Sequence, residues 1–225
     1  SINASGVVQW TADGNAISTA ASEQSYPTIV SDGAGGAIIT WYDYRSDTAH
    51  IYAQRIDSSG AVQWTANGVA ICTAGDGQSY PTIVSDGAGG AIITWNDGRS
   101  GTDADVYAQR IDASGVVQWT ADGVAISTAV NSQFQPTIVS DGAGEAIITW
   151  SDLRSGTNYH LYAQRINAVG VVQWTPNGVA ISTAANNNQE LDPTIVSDGA
   201  GGAIITWFDY RSGPAHIYAR RINAS

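Results

Sequence analysis

The fold is decided by one stretch, Pro27-Thr-Ile-Val-Ser-Asp-Gly-Ala-Gly-Gly-Ala-Ile-Ile-Thr-Trp-Tyr-Asp-Tyr-Arg45. Two runs rich in β-branched residues flank Asp32-Gly-Ala-Gly-Gly36, a glycine-dense segment that can supply the positive φ angles of a hairpin turn. The second run, Ala37–Trp41, is apolar without alternation, as expected when both faces of a sheet are covered. The stretch therefore predicts two buried antiparallel strands joined by a tight turn.

The same pattern recurs along the chain with a period of about 55 residues, which is the signature of a repeat architecture. Further copies of the stretch begin at Pro81, Pro136 and Pro193. A third strand, Ile51-Tyr-Ala-Gln-Arg55, recurs from Val106, Leu161 and Ile217. A fourth ends in Val-Gln-Trp, at Trp10, Trp64, Trp119 and Trp174. Each copy therefore predicts a four-stranded antiparallel meander.

The order of the strands predicts how the copies assemble. The chain begins with a predicted fourth strand, Val7–Trp10, and its last predicted strand, Ile217–Ile222, is a third strand. Pairing these two would leave no sheet incomplete. We predict an all-β fold, a β-propeller of four four-stranded antiparallel blades closed by pairing the N-terminal strand with the C-terminal three strands. Residues 1–225 would form a single domain, with repeat units at 11–64, 65–119, 120–174, and 175–225 completed by 1–10.

Composition narrows the classes of partner. The formal charge is −11, so nucleic acid and an anionic membrane surface are disfavoured, and no apolar run is long enough to span a membrane. The single cysteine, Cys72, takes the place of a serine in the other copies and is interpreted as a serine replacement. Neither a cofactor nor a metal is predicted, because each turn aspartate offers one carboxylate and calcium needs six or more oxygen ligands.

The repeated Asp and Arg residues predict internal ion pairs. Pairs of the type Asp43/Arg45 recur in all four copies, at i and i+2 on one strand end. A catalytic site would seldom be repeated four times, so these pairs are interpreted as structural.

The residues at these positions resemble a known group of proteins. The pattern Ser-Asp-Gly-Ala-Gly-Gly-x-Ile-x-x-Trp-x-Asp-x-Arg-Ser, followed by Ile-Tyr-Ala-Gln-Arg, resembles the repeats of secreted bacterial β-propeller proteins. It is more distantly similar to the Asp-box hairpin of sialidase-like and lectin propellers. The resemblance implies a propeller fold and an extracellular, secreted protein whose signal peptide is absent from this segment. Because the true Asp-box and the sialidase residues are not matched, it argues against glycoside hydrolysis, and we expect no enzymatic activity.

The copies differ mainly in two sets of loops. The stretches before each proline vary, at residues 21–26, 75–80, 130–135 and 185–192, and so do the loops after each Arg-Ser, at 47–50, 101–105, 156–160 and 213–216. In a meander both sets emerge on one face of the ring, so this face is the candidate binding surface, although the loops could equally be tolerant of change. The candidate ligand-binding residues are Tyr44, His50, Asp105, Tyr159, His160, Tyr210 and His216. The histidines share one repeat position. They could converge on one point or lie apart at the rim of the ring, and we favour the rim because equivalent positions in a ring are well separated.

Two hypotheses about function follow. The first is a non-catalytic extracellular binding module that binds carbohydrate, in a lectin-like manner, through tyrosines and amides of the variable loops. The alternative is a structural or interaction scaffold, or an engineered or excised repeat array, without a small-molecule ligand. The predicted partners are glycans or a protein on the variable-loop face, with no nucleic acid and no membrane insertion, and the chain is predicted to be a monomer or a homodimer formed by blade exchange.

Overall fold

A computed structural model describes residues 1–183 and 189–223, and every helix or strand assigned in them is a β-strand. Blade 1 contains β1 (Gln24–Ser31), β2 (Ala37–Asp43), β3 (His50–Ile56) and β4 (Val69–Cys72). Blade 2 contains β5 (Gln78–Ser85), β6 (Ala91–Asp97), β7 (Asp105–Ile111) and β8 (Val124–Ser127). Blade 3 contains β9 (Gln133–Ser140), β10 (Ala146–Asp152), β11 (His160–Ile166) and β12 (Val179–Ser182). Blade 4 contains β13 (Glu190–Ser197), β14 (Ala203–Asp209) and β15 (His216–Ile222). The predicted all-β propeller with four antiparallel blades is confirmed.

The outermost strand differs from the one predicted. In blade 1 it is β4, whereas the Val-Gln-Trp stretch forms only an isolated bridge between Ile56 and Val62. The stretch is also held by Gln54, a buried side chain of β3. Gln54 accepts a hydrogen bond from the backbone N–H of Trp64 at 2.9 Å and donates to the carbonyl of Thr65 at 2.9 Å. A side-chain clamp thus adds to the short backbone pairing, in which Gln63 N–H donates to the carbonyl of Arg55 at 2.8 Å.

Consecutive blades pack face to face through apolar side chains. Between blades 1 and 2 the core contains Ile38 and Ile51 from one sheet and Ile93 and Trp95 from the next. Equivalent cores join blades 2 and 3 and blades 3 and 4. Blades 2 and 3 thus bury both of their faces by contacting a neighbour on each side.

The Trp64 ring extends this packing to the outer part of the blades. Its Nε1 donates to the carbonyl of Ala113 in blade 2 at 3.1 Å. Its ring lies over Gly115, where a Cβ atom would come within 2.8 Å of the indole. Gly115 has a φ of 84°, so both the space and the backbone conformation require glycine there.

The hairpin-turn aspartates are structural, as their position predicts. The Asp32 carboxylate accepts the backbone N–H groups of Ala34 and Gly36, both at 2.8 Å, and is bonded to Arg55 of β3 at 2.8 Å. Burial opposes ionisation, but these hydrogen bonds prevail and lower the pKa of Asp32. Arg55 also donates to the carbonyl of Ala113, which ties the turn to the next blade.

The predicted Asp/Arg pairs are confirmed in all four blades. In blade 1 the fully buried Asp43 accepts from Trp41 Nε1 at 2.9 Å and from Arg45 through two nitrogens. Arg45 lies over the ring of Tyr52, 3.8 Å from its centroid, and donates to the carbonyl of Asn67. The corresponding pairs are Asp97/Arg99, Asp152/Arg154 and Asp209/Arg211. One ion pair therefore connects three strands of a blade.

The predicted closure of the ring is not formed in the described residues. Blade 4 has three strands there, and the N-terminal residues lie against blade 1 instead. Ile2 forms a bridge with Val8. Trp10 donates from Nε1 to the carbonyl of Ser58 in blade 1 at 3.1 Å, which matches the bond from Trp64 to the carbonyl of Ala113 in blade 2. The physical reason is that the N-terminal segment carries the same contact residues as the outer segment of a preceding blade. It therefore docks on blade 1 through the ordinary interface between blades.

The Gln clamp leads to a stability prediction in blade 2. Gln109 is fully buried, accepts from the N–H of Trp119 at 2.9 Å and donates to the carbonyl of Thr120 at 2.8 Å. Gln109→Ala leaves both backbone groups without this partner, and we expect a loss of about 2–3 kcal/mol in the free energy of unfolding, measured by urea denaturation.

The neighbouring Gln118→Ala is the matched control, because the Gln118 side chain is exposed and bonds only to Asp112 and the nearby carbonyl of Val116. We expect it to change the free energy of unfolding by less than about 0.5 kcal/mol. Equal losses in the two variants would show that the clamp has no special role.

Candidate functional site

The variable loops lie on one face of the propeller. In blade 1 the first residue of β1, Gln24, pairs with Asp43 at the end of β2, and Asp43 pairs with His50 at the start of β3. The connections between blades and the β2–β3 loops therefore emerge at the same edge of the sheet, which we call the loop face. Of the variable stretch 185–192, residues 185–188 lie outside the described residues.

The first strands of the four blades line a central cavity of about 410 Å³, here called the axial pocket. Each blade contributes a proline, the residue before it and the threonine after it. The lining residues are Tyr26, Pro27, Thr28, Tyr80, Pro81, Thr82, Gln135, Pro136, Thr137, Asp192, Pro193 and Thr194. The prolines and threonines are identical in every blade, so the chemical character of the pocket depends on the four residues that precede the prolines.

Those four residues share an unusual backbone conformation. Their φ angles are 52° at Tyr26, 51° at Tyr80, 54° at Gln135 and 51° at Asp192. Residues other than glycine rarely adopt positive φ, and the conformation costs free energy. Each of them lies at a β-bulge, where the register between the first and second strands shifts. The bulge turns these side chains out of the ladder and into the pocket.

One half of the pocket is aromatic. The ring of Tyr26 stacks on that of Tyr42 with centroids 5.1 Å apart, and it meets the edge of Tyr80 at 5.3 Å. Tyr44 packs edge-on against Tyr42 at 5.8 Å. Burial, together with the neighbouring Tyr26, raises the pKa of Tyr42 to about 12, so this phenol stays protonated.

The other half of the pocket is polar. Gln135 donates a hydrogen bond from Nε2 to Oδ1 of Asp192. Among the described residues five buried side-chain atoms have no hydrogen-bond partner, and they include Oε1 of the pocket residue Gln135, Oδ1 of Asn96 and Oγ of Ser151. Asn96 and Ser151 occupy the repeat position of Tyr42 in blades 2 and 3, and they are not among the residues that line the pocket. Unpaired buried polar groups are uncommon and indicate a place for water or a ligand.

The predicted tyrosines lie in three separate places on the loop face. Tyr44 does not line the axial pocket; it packs against Tyr42, which stacks on the pocket residue Tyr26, and it lines a groove of about 420 Å³ with Asp76 and Asn96. Tyr159 is half-buried against the edge of Phe134, with centroids 4.5 Å apart. Tyr210 is exposed in blade 4.

The shared position of His50, Asp105, His160 and His216 is a contact between blades, and the structure does not bring the histidines together. His50 is buried, and its Nδ1 lies 2.9 Å from Oε1 of Gln78 in blade 2. The corresponding His160 Nδ1 lies 3.5 Å from Glu190 in blade 4. Asp105 is buried in blade 2, whereas His216 is exposed in blade 4. Ligand binding by these residues stays a prediction.

The residues that form the axial pocket were not among the candidates from the sequence. The sequence does contain a signal for them. One repeat position changes its residue type between copies, although the Pro-Thr that follows it is constant, and its residues are Tyr26, Tyr80, Gln135 and Asp192. Their convergence could not be predicted, because their positive φ arises from bulges that depend on pairing with the second strand.

Other positions in the described residues bear on two known kinds of site. Burial raises the pKa of the Cys72 thiol to about 12, and the thiol contacts Asp97 and Arg99, so it is not an activated nucleophile. Within residues 1–183 and 189–223 no group of three or more potential ligands could hold a metal ion. The same residues include no helix that is long and apolar enough to cross a membrane.

Solved structures similar to this chain are carbohydrate-active enzymes. An endo-arabinase from Bacteroides thetaiotaomicron is 16% identical with a TM-score of 0.51, and the match covers 88% of this chain and 75% of that one. An α-L-arabinanase from Penicillium chrysogenum, complexed with arabinobiose, is 14% identical with a TM-score of 0.59 over 88% of this chain and 62% of that one. A GH93 α-L-arabinofuranosidase from Fusarium graminearum, also complexed with arabinobiose, is 13% identical with a TM-score of 0.60, and the match covers 88% of this chain and 61% of that one. No protein-family model and no curated protein matches the sequence.

This chain shares the fold of these propeller glycoside hydrolases. It spans about three-fifths of the length of the two fungal enzymes. At these identities the likeness shows the fold alone. It nevertheless corrects two sequence-based predictions, the non-catalytic module with its scaffold alternative and the absence of enzymatic activity, since the solved relatives of this fold are catalytic. The sequence argument failed because it compared the chain only with sialidase-like and lectin propellers, whereas the similar solved structures are arabinanases and arabinofuranosidases.

The buried carboxyl group of Asp105 leads to a prediction about pH. Burial raises the pKa of Asp105 to about 6, and the nearby Asp97 and Asp103 carboxylates add to this effect. The folded state therefore holds this proton more tightly than the unfolded state, whose Asp pKa is about 3.9. The contribution of Asp105 to stability is complete below about pH 4 and is lost as pH rises to about 6.

Asp105→Asn removes this titration. We expect the urea midpoint of the variant to rise relative to the wild type between about pH 4 and 6, and to stay above it at neutral pH. The wild type measured in the same buffers is the control. Parallel curves for the two proteins across this interval would contradict the assignment.

Proposed function

We propose that this chain is a carbohydrate-active protein that binds an oligosaccharide in the axial pocket and cleaves it there. The observation that carries the proposal is the division of one pocket into an aromatic half, built on Tyr26 and Tyr80, and a polar half, built on Gln135 and Asp192. Sugars present apolar faces that stack on aromatic rings and hydroxyl groups that bond to amides and carboxylates. A concave pocket with a few convergent polar groups is the usual form of such a site.

The chemistry assigns a particular role to Asp192. Among the described residues that line the pocket, Asp192 is the one acidic residue, and the amide of Gln135 donates a hydrogen bond to its Oδ1. Glycoside hydrolysis commonly uses two carboxyl groups. The acid nearest to Asp192 in sequence, Glu190, is buried and bonded to Ser182 Oγ and to the N–H of Leu161, so it does not serve the pocket. We therefore assign Asp192, oriented by Gln135, as the general acid: its proton passes to the leaving-group oxygen as the glycosidic bond breaks, while a water molecule attacks the anomeric carbon and its proton returns to the Asp192 carboxylate.

The substrate class is proposed from the solved structures that share the fold. Two of them hold arabinobiose, and the axial pocket, at about 410 Å³, is large enough to take sugar units of this size. We take an arabinose-containing oligosaccharide as the first substrate to test. The groove beside Tyr44 adjoins the aromatic half and would bind further units, so Tyr44 keeps its proposed role as a ligand-binding residue.

An extracellular location is part of the same proposal. Polymeric glycans cannot cross a membrane, so a protein that acts on them would meet its substrate outside the cell. The negative charge of the chain is compatible with an uncharged glycan and disfavours nucleic acid.

Asp192→Asn tests the catalytic assignment, because it removes the ionisable group and keeps the shape of the side chain. We expect the wild type to release reducing ends from arabino-oligosaccharides and the variant to do so at least about 100-fold more slowly, with binding retained by calorimetry. The exposed Asp47, which is absent from the pocket lining, provides the control Asp47→Asn with unchanged activity. Absence of any release by folded wild-type protein would overturn the proposal.

Tyr80→Ala tests the aromatic half of the pocket. Loss of the ring removes a stacking surface worth about 1 kcal/mol, so we expect the dissociation constant for the oligosaccharide to rise about fivefold. Tyr80→Phe keeps the ring and should bind like the wild type. If the phenylalanine variant is as weak as the alanine variant, the hydroxyl group and not the ring makes the contact.

A further inference from the structure

One face of blade 4 has no partner among residues 1–183 and 189–223. Its exposed residues are Ile204 and Phe208 of β14, at 39% and 41% accessibility, and Ile217 of β15, at 67%. The counterparts of Ile204 in the other blades, Ile38, Ile92 and Ile147, are accessible to 0%, 0% and 4%, because each packs against the next blade. The counterparts of Ile217, which are Ile51, Val106 and Leu161, are all at 0%. Burying this face would remove a large apolar surface from water.

Blade 1 carries the surface that fits this face. Its Ile39 and Trp41 are the counterparts of Ile93 and Trp95, which receive the face of the preceding blade. The N-terminal segment packs on this surface through Trp10 and Ile17, and leaves Ile39 and Trp41 at 9% and 3% accessibility. Beside it a groove of about 200 Å³ remains, lined by Ile17, Pro27, Ile39 and Trp41 among others. The position of the groove is where a preceding blade would place the residues matching Ile204 and Ile217.

The backbone is complementary as well. In blade 1 the fourth strand pairs as Ile51 with Cys72 and Ala53 with Val69. The repeat aligns Asn15–Ser18 with Val69–Cys72, and these N-terminal residues form no strand in the structure. The edge of β15 is likewise free in the described residues, because blade 4 has only three strands there. Pairing of Ile217 with Ser18 would complete blade 4 in the register of the other blades.

We propose that the free face of blade 4 binds the N-terminal segment and blade 1 of a second copy of this chain. The contact continues an interface that the chain already forms three times, between residues of the same kind at the same positions. Every copy carries both surfaces, so the contact is head-to-tail, and two copies that make it twice close a ring.

A second copy is favoured over closure within one chain by the position of the N-terminal segment. In the described residues this segment lies on blade 1 of its own chain, where Trp10 and Ile17 pack against Ile39 and Trp41, while the face of blade 4 remains open. The proposal does not depend on the catalytic role of the axial pocket.

The first experiment measures the mass of the 225-residue chain in solution by light scattering at micromolar concentration. We expect a mass near twice 23.4 kDa. Ile204→Glu places a charge in the proposed interface and should return the mass to that of one chain, with an unchanged circular dichroism spectrum. Val169→Glu is the control, since Val169 is an exposed apolar residue in a turn of blade 3 away from this face, and this variant should stay at the doubled mass. A monomeric wild type, or an Ile204→Glu variant that remains a dimer, would overturn the proposal.

A cross-link tests the register and distinguishes two copies from one. The double variant Ser18→Cys, Ile217→Cys places two thiols at positions equivalent to the paired Cys72 and Ile51, within the usual Cα separation for a disulfide. Oxidation should give a covalent dimer that a reductant separates. A disulfide formed within a single chain, or no cross-link in a folded sample, would contradict the proposed contact.

Discussion

Each blade of this protein has two apolar faces and cannot cover either of them alone. Ile38 and Ile93 show the solution, because they come from adjacent blades and share one core. Packing of blade on blade is therefore the constraint on which the rest of the structure depends. It aligns the first strands of the blades around an axis, places both sets of variable loops on one face, and leaves an open apolar surface wherever a neighbour is missing.

The axial pocket combines a repeated backbone with side chains that are not repeated. All four residues before the prolines have a φ near +50°, a strained conformation that the surrounding sheets hold in place. Because the backbone is the same in each blade, the difference between Tyr80 and Asp192 converts a symmetric cavity into one with an aromatic and a polar side. The asymmetry that recognition of a ligand requires is thus created by a few substitutions at one repeat position, while the packing between blades is unchanged.

The ion pairs contribute rigidity around this pocket. Asp43 accepts from both Trp41 and Arg45, and the arginine reaches across Tyr52 to the turn before β4. Hydrogen bonds to Arg45 and Trp41 lower the pKa of Asp43 against the opposing effect of burial, so the carboxylate stays charged. Since each cluster joins three strands, the ends of the strands next to the loop face are fixed in every blade.

The repeat, the strand order within the first three strands and the pairing of Asp with Arg are properties of local sequence, and all of them could be predicted. The outermost strand could not, because its position depends on the clamp between Gln54 and Trp64, a contact between separate parts of the blade. The docking of Trp10 on blade 1 likewise depends on a surface formed by another sheet. Sequence alone thus determined that this protein is built from four β-sheet units with constant cores and variable loops. Only the tertiary structure decided which side chains meet at the axis and which faces remain open, because both follow from packing between residues that are far apart in the chain.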